Sequence, residues 1–422
     1  MGKQAKVTIA PCMSACPQGQ DIRKLTEILA RAHRGEIPEE EAFEQAWRVA
    51  TERNPLPAVC SRVCPHECEG ACNRGEQDCA VGINSIERFL GDWAIERGLK
   101  HRKITDKAQP EKIAVIGSGP AGLSCAYHLA RRGYKVTIFE AFPKPGGMLR
   151  YGIPHFRLPR DVLDAEIEKI LDLGVELRTN ITVGKDIPFE EIKAEYDTVF
   201  LGIGAQKSVD LHLPGEDCSG VYGGLDFLRL VNSGKEVEIG REVVVVGGGN
   251  TAMDAARVAR RYEANVTILY RRTRAEMPAL EEEIISAEEE GVKIIYLAAP
   301  LEVLSENGRI SSLLCQRMEL GEPDESGRRR PVPVPDDTFT IPADNLIVAI
   351  SQQIDWEGLE PLRAPLVWTA EDEEGYTQRN GVFAGGDVRG IGILAKALAE
   401  GRHAAETMHA NFRGLETPPA PD

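Results

Sequence analysis

No apolar run in the 422-residue chain approaches the roughly 20 residues that span a bilayer. The longest are short stretches such as Val243 to Val246, which excludes a transmembrane protein. Positive charge is also scarce, with 50 Lys and Arg against 66 Asp and Glu and a net charge of −16. A nucleic-acid surface needs a basic footprint, so that partner class is excluded too. The one basic cluster, Arg328 to Arg330, reads as a solvated loop. The opening Met-Gly-Lys-Gln-Ala-Lys has no apolar signal region and no Ser or Thr to complete a myristoylation motif, so a cytoplasmic location is expected.

Cysteine is nearly absent beyond residue 79, where only Cys125, Cys218 and Cys315 occur. Seven others, Cys12, Cys16, Cys60, Cys64, Cys68, Cys72 and Cys79, crowd into the N-terminal segment. Without a secretion signal, that crowding points to metal or iron–sulfur ligation rather than disulfides. Strand-like stretches are missing from the first 100 residues. Ile22, Leu25, Ile28, Leu29 and Ala32 share a helical face that Gly35 ends. Phe43 to Ala50 and Ile83 to Trp93 give two further helices, while Pro55, Pro57 and Pro65 forbid one continuous helix through the cysteines. His101 to Lys112 reads as a linker, and the proline-rich tail Glu416 to Asp422 as frayed.

From Lys112 the pattern becomes α/β. Ile113 to Ile116 enters Gly117-Ser118-Gly119-Pro120-Ala121-Gly122, a helix follows, and Lys135 to Glu140 forms a second strand. Gly117 permits the tight turn, Gly119 lets backbone approach a pyrophosphate, and Gly122 lets helix and strand pack closely. The diphosphate then faces a helix N-terminus, with Glu140 placed for ribose hydroxyls. Val243 to Val246, Gly247-Gly248-Gly249-Asn250-Thr251-Ala252 and the strand Asn265 to Tyr270 repeat the unit, so two dinucleotide-binding domains are expected. Where the first unit has Glu140 the second has Tyr270, followed by Arg271 and Arg272. Guanidinium groups bind a 2′-phosphate bidentately whereas a carboxylate repels it, which favours NADPH over NADH. Asn250 and Thr251 stand where they can cap the helix or touch phosphates. A third strand–turn–helix follows at Gly381 to Asp387.

Gly117 to Gly122 with Glu140, Gly202 to Ala205, and Gly385-Gly386-Asp387 resemble the two-dinucleotide flavoprotein reductases. Pro145 to Pro154, and Tyr270-Arg271-Arg272 with Glu276-Met277-Pro278-Ala279, resemble more narrowly the small subunit of NADPH-dependent glutamate synthase and its iron–sulfur relatives. These relatives include the large subunit of NADH-dependent ferredoxin:NADP oxidoreductase and the N-terminal half of dihydropyrimidine dehydrogenase. The resemblance implies a helical iron–sulfur domain (1–108), an FAD domain (109–212 and 341–422) and an inserted NAD(P)H domain (213–340). FAD would meet Gly117, Gly119, Pro120, Ala121, Gly122, Glu140, Gly147, Leu149, Ile153, Gly386 and Asp387. NADPH would meet Gly247, Gly249, Asn250, Thr251, Arg271 and Arg272.

Family members carry two [4Fe–4S] clusters, and by resemblance one takes Cys16, Cys64, Cys68 and Glu87. The other would use Cys12 and Cys72, but the chain begins too late to hold its leading C-x2-C pair. One cluster is therefore expected, with Cys12, Cys60, Cys72 and Cys79 as candidate ligands of a second. Two other readings stay open: a thiolate zinc site, and a capping role for Glu87, three residues after Asn84. His66 has no paired C-x-H motif, which argues against a Rieske centre. Cys218 and Cys315 are solitary, which excludes a thioredoxin-reductase-type dithiol. The expected activity is electron transfer between NADPH or NADH, FAD, the cluster and a partner subunit or ferredoxin-like protein in a hetero-oligomeric complex. Glutamate synthase small subunit proper, and a non-catalytic nucleotide-binding assembly subunit, are the alternatives.

Overall fold

The computed structural model describes residues 9–325, 327–363 and 381–419. These residues fall into two compact units, one drawn from those up to 150, from 156–205 and from 356 onward, the other from 151–155 and 206–355.

The first unit begins with helices. Ile22–His33 starts where the Asp21 side chain accepts from Lys24 N at 3.1 Å, satisfying one of the unpaired amides of the first turn. Glu39–Thr51 has three acids in its first turn and Arg48 in its last, both favourable to the helix dipole. Ile83–Glu96 packs Leu90 and Ala94 against Trp47, Ala46 and Leu25. Cys12 lies in the short helix Pro11–Ser14, Cys60 in Pro57–Val63 and Cys68 in Glu67–Gly70, while Cys64 follows the second of these and Cys72 precedes the turn Asn73–Glu76. The expected linker has no helix or strand before Lys112, yet it is not free chain. His101 is buried and stacked on Trp47 at 5.4 Å, with its edge toward Tyr127.

A five-stranded parallel sheet follows in the order Val382–Ala384, Thr198–Leu201, Lys112–Ile116, Lys135–Glu140, Glu176–Thr179. The strand entering the glycine turn is central, and burial of its apolar residues on both faces is what a parallel sheet requires. Helix Pro120–Ala130 lies against the C-terminal helix Leu394–Arg413, where Gly401 approaches Ala121 so closely that a Cβ would meet its carbonyl oxygen at 2.1 Å.

The second unit repeats this sheet: Val221–Gly223, Asn345–Val348, Glu242–Val246, Asn265–Tyr270, Lys293–Tyr296, all parallel. Beside it stands an antiparallel sheet of Ala298–Glu306, Arg309–Pro323 and Arg329–Pro342. The basic cluster Arg328 to Arg330 sits at the turn into the last of these strands. The boundary expected at residue 341 is corrected here. Asn345–Val348 pairs with Glu242–Val246, so the return to the first unit comes only after the antiparallel pair Lys207–Ser208 and Gln352–Gln353. Of the tail expected to fray, residues 416–419 form no regular structure, and 420–422 lie outside the described residues.

Candidate functional site

In the first unit the turn is held open by its glycines. Gly117 has φ +96°, and a Cβ there would lie 2.4 Å from Gly202 O. At Gly122 a Cβ would meet Gly117 O at 2.0 Å, so only hydrogen fits between helix and turn. A Cβ on Gly119 would meet nothing within 4 Å, which leaves that backbone facing open space where a phosphate could approach. Pro120 opens the helix and Ala121 is buried under it.

Glu140 is buried at the end of its strand and comes to this turn. Its Oε2 accepts from Ser118 N at 3.0 Å and from the Ser118 hydroxyl, and its Oε1 accepts from Phe142 N at 2.8 Å. Ser118 Oγ in turn accepts from Gly146 N at 3.0 Å, tying in the loop that carries Gly147 and the buried Leu149. Gly147 has φ +51° and packs on Gly119, where its Cβ would lie 2.8 Å from the Cα. Gly386 lies against Ala121, 3.1 Å from its Cβ by the same measure, so the third glycine motif joins the first. The half-buried Asp387 accepts from Gly392 N at 3.2 Å, and burial raises its pKa. Ile153 is half-buried and groups with the second unit.

Two residues were missed. Ser118 sits inside the motif, and its bridging role was open to inference. Glu400 had no local signal: it is buried on the C-terminal helix and accepts from Gly386 N at 2.6 Å, holding the Gly385-Gly386 turn.

The second unit has the same frame with other side chains. Gly247 approaches Ala349 O as Gly117 approaches Gly202 O, and Gly249 is open apart from Pro278 at 4.0 Å. Asn250 does not cap its helix; its Oδ1 accepts from Leu280 N at 2.9 Å and fixes the loop after Glu276. Thr251 Oγ1 accepts from Gln352 at 3.3 Å. The Tyr270 ring lies over Gly248, and its hydroxyl donates to Glu276 O at 2.7 Å. Arg271 is exposed, as a phosphate-reading group must be. Arg272 departs from expectation: it is buried, pairs with Asp324 at 2.6 Å and donates to Arg329 O at 2.7 Å. Its charge is used inside the fold, pinning the strand end to the antiparallel hairpin.

The thiols form two groups. Cys16, Cys60, Cys64, Cys68 and Glu87 influence one another electrostatically, and the Cys60 and Cys64 thiols share a hydrogen bond. Cys12 and Cys72 form a separate pair, and Cys79 is exposed. Burial raises the pKa of Cys16 and pushes Cys68 up to about 12. Backbone N–H groups of Gln20 and Gln18 nevertheless point at the Cys16 sulfur, and that of His66 at Cys64. Such donors suit thiolates bound to a cluster.

Glu87 accepts from Asn54 at 2.8 Å and Gln20 at 3.4 Å, and loss of solvation lifts it to about 7. The capping reading does not hold, because the helix N-cap is Gly82 and Asn84 N donates to Glu69 at 2.7 Å. Among the described residues no three His, Cys, Asp or Glu side chains converge as one metal ion would require.

Known proteins resemble both parts of the chain. Residues 111–407 match the family described as pyridine nucleotide-disulphide oxidoreductase. Residues 5–99 match dihydropyrimidine dehydrogenase domain II, 4Fe-4S cluster. The chain is 39% identical to the NADP(+)-dependent formate dehydrogenase subunit beta of Moorella thermoacetica, covering 97% of this chain and 61% of that one. It is 40% identical to the NADPH-Fe(3+) oxidoreductase subunit beta of Geobacter sulfurreducens, covering 91% and 61%. To the glutamate synthase [NADPH] small chain of Escherichia coli it is 38% identical, covering 96% and 90%. The chain thus spans about three fifths of the length of the first two relatives.

Among solved structures, FprA of Mycobacterium tuberculosis in complex with NADPH shares the fold, with a TM-score of 0.60 at 18% identity over 72% of this chain and 85% of that one. No helix among the described residues is long and apolar enough to cross a membrane. FAD and a pyridine nucleotide are the cofactors of the C-terminal part, and a [4Fe–4S] cluster that of the N-terminal domain. With its α/β architecture, its paired glycine turns and an iron–sulfur domain in front of them, the chain belongs to the pyridine nucleotide-disulphide oxidoreductase family.

Proposed function

We propose that this chain is the flavin- and cluster-bearing subunit of an electron-transfer oxidoreductase, working between NADPH and a partner redox protein. One observation carries the reading: a single chain joins two nucleotide turns of matching topology, one ending in a carboxylate and one in an exposed arginine, to a group of part-buried thiols. The relatives named as beta or small subunits support a multi-subunit setting. A cytoplasmic location is supported by the free thiols of Cys125, Cys218 and Cys315, because unpaired cysteine and thiolate clusters belong to reducing compartments.

FAD would lie on the Gly117–Gly122 turn, with its diphosphate at the open Gly119 and its ribose toward Glu140. When bound, the flavin accepts a hydride and returns electrons singly, which is the chemistry that joins a nicotinamide to a one-electron centre. Ser118 holds the turn, the carboxylate and the Gly146 loop in one arrangement. Glu400 fixes the Gly386 amide, next to Asp387 in the chain. Arg271 would take the 2′-phosphate of NADPH, while Tyr270 walls the turn with an uncharged ring. Cys16, Cys64, Cys68 and Glu87 would ligate one cluster, with Asn54 and Gln20 aiming the Glu87 carboxylate.

The test is anaerobic titration of the reconstituted chain. NADPH should bleach FAD absorbance, and iron and labile sulfide should stand near four each per chain, as one [4Fe–4S] cluster requires. About eight irons would add a second cluster at Cys12, Cys60, Cys72 and Cys79. A flavin that neither NADPH nor NADH bleaches would mark a non-catalytic assembly subunit. Recovery of glutamate synthase activity on adding a synthase large subunit would assign the chain to that enzyme.

A further inference from the structure

Helix Pro57–Val63, which leads into Cys64, has no capping side chain of its own. Pro57 contributes no N–H, and the next amide, Ala58 N, donates at 3.1 Å to Glu166 Oε2, a residue 108 positions later in the chain. Glu166 lies on helix Arg160–Leu171 and is fully buried. Its other oxygen takes Lys169 Nζ at 3.2 Å, and Lys169 is itself buried, with its ammonium 5.4 Å from the Trp47 ring centroid. Gly91 presses on the same peptide, where a Cβ would meet Ala58 N at 2.5 Å.

The position of this pair is anomalous. Leu163, Ile167 and Ile170 form the buried stripe of helix Arg160–Leu171, and Glu166 and Lys169 occupy the same face. A buried ion pair adds little stability over apolar residues of similar size, because desolvation cancels most of its attraction. What it supplies is direction: a carboxylate with one oxygen on Lys169 and the other on Ala58 N accepts one placement of the cysteine helix. Apolar packing would allow several.

We propose that Glu166 and Lys169 are positioning residues that fix the helix bearing Cys60 and leading into Cys64 against the helices of the flavin-binding part, and so set the flavin-to-cluster path. Neither touches a reacting group. Both act through the Ala58 amide and the Trp47 ring. Only the rate part of the test rests on the electron-transfer reading above.

The experiment compares the full chain with the double variant Glu166→Met/Lys169→Met, which removes both charges and leaves no buried ion unpaired. Hydrogen exchange of residues 58–64 should speed about tenfold or more, the scale of one lost charge-assisted hydrogen bond. Exchange in helix Pro120–Ala130, iron content, flavin content and NADPH-driven flavin reduction should all stay as in the parent. Passage of electrons from flavin to cluster, followed by cluster bleaching after a flavin pulse, should slow. Glu166→Gln, which keeps an acceptor for Ala58 N, should leave the 58–64 exchange close to the parent and lower only the melting temperature. Unchanged exchange at 58–64 in the double variant would overturn the proposal, as would equal loss in Glu166→Gln. If the parent flavin is not reduced by NADPH, the functional reading fails, and the exchange comparison still decides the positioning role.

Discussion

The two nucleotide turns share one scaffold and differ in how tightly it closes. Gly122 packs with no room for a methyl, 2.0 Å from Gly117 O by its would-be Cβ. The equivalent residue of the second unit is Ala252, whose real Cβ lies 3.2 Å from the would-be Cβ of Gly247. The first strand pair ends in a buried carboxylate bonded back to the turn, the second in a tyrosine ring laid over it. Under the function proposed above, the turn that bonds its own acid would hold FAD, and the turn walled by a ring, with Arg271 left outside, would take NADPH.

The largest expected break in this comparison is Gly122→Ala. A methyl pressed onto a backbone oxygen cannot be relieved by a rotamer change, so the loss should exceed the roughly 1–3 kcal/mol of ordinary overpacking. Little folded, flavin-loaded protein should be recovered. The reciprocal Ala252→Gly should cost only about 0.5–1 kcal/mol, the helix-interior penalty, with NADPH binding kept. Comparable melting curves for the two variants would mean the turns close alike.

Next in size is Glu140→Gln. Hydrogen bonds to a charged group contribute about 1.5–3 kcal/mol each. Losing the charge where both oxygens accept should weaken FAD retention by roughly tenfold to several hundredfold, read by flavin fluorescence on dilution. Tyr270→Glu in the second unit should instead depress NADPH binding while sparing NADH.

Both turns were legible in the sequence because everything that makes them is local: a strand, three small residues and a helix within one stretch of chain. The crowding of cysteines before residue 80 was legible as a mark of metal or cluster ligation, but which thiols group together was implied only by resemblance. Roles set by remote partners were not. Arg272 looks the same as Arg271 in sequence, and only Asp324, brought up by the long antiparallel hairpin, turns it inward. Nothing around Glu400 marks it as the partner of Gly386, and nothing in Asn345 to Val348 says which sheet it joins. His101 stands in a polar stretch, and its burial depends on Trp47 and Tyr127, which come from two separate helices.

That division of labour between adjacent arginines gives the third prediction. Arg271→Ala should weaken NADPH by about tenfold to a hundredfold, on the scale of one charge-assisted contact, and leave NADH unchanged. Arg272→Ala should lower the melting temperature and leave the ratio of NADPH to NADH affinity where it was. A change of that ratio in Arg272→Ala, measured by equilibrium titration, would return both residues to the phosphate.

The smallest expected effect separates what lies behind the two phosphate helices. Helix Asn250–Arg260 is braced by part-buried ion pairs, Arg257 with Glu283 and Glu290. Helix Pro120–Ala130 is braced by Tyr127 against His101, whose pKa burial lowers to about 3, helped by Lys169 and Arg131. An unfolded histidine titrates near 6.5, so above that pH both states are neutral and His101 adds no pH dependence. Below it the unfolded chain binds a proton that the folded chain refuses. Stability is therefore lost as pH falls from about 6.5 toward 3, by up to about 1.4 kcal/mol per pH unit. Glu166, raised to about 7 mainly by burial, pulls the other way, but it is present in parent and variant alike. His101→Phe keeps a ring between Trp47 and Tyr127 and removes the titration. The stability difference between parent and His101→Phe, from urea unfolding, should be flat above pH 7 and should shift by about 1 kcal/mol toward the variant between pH 6.5 and 5.5. A difference that stays flat through that window would show that His101 accepts its proton in the folded chain, and that the first helix is no more acid-sensitive than the second.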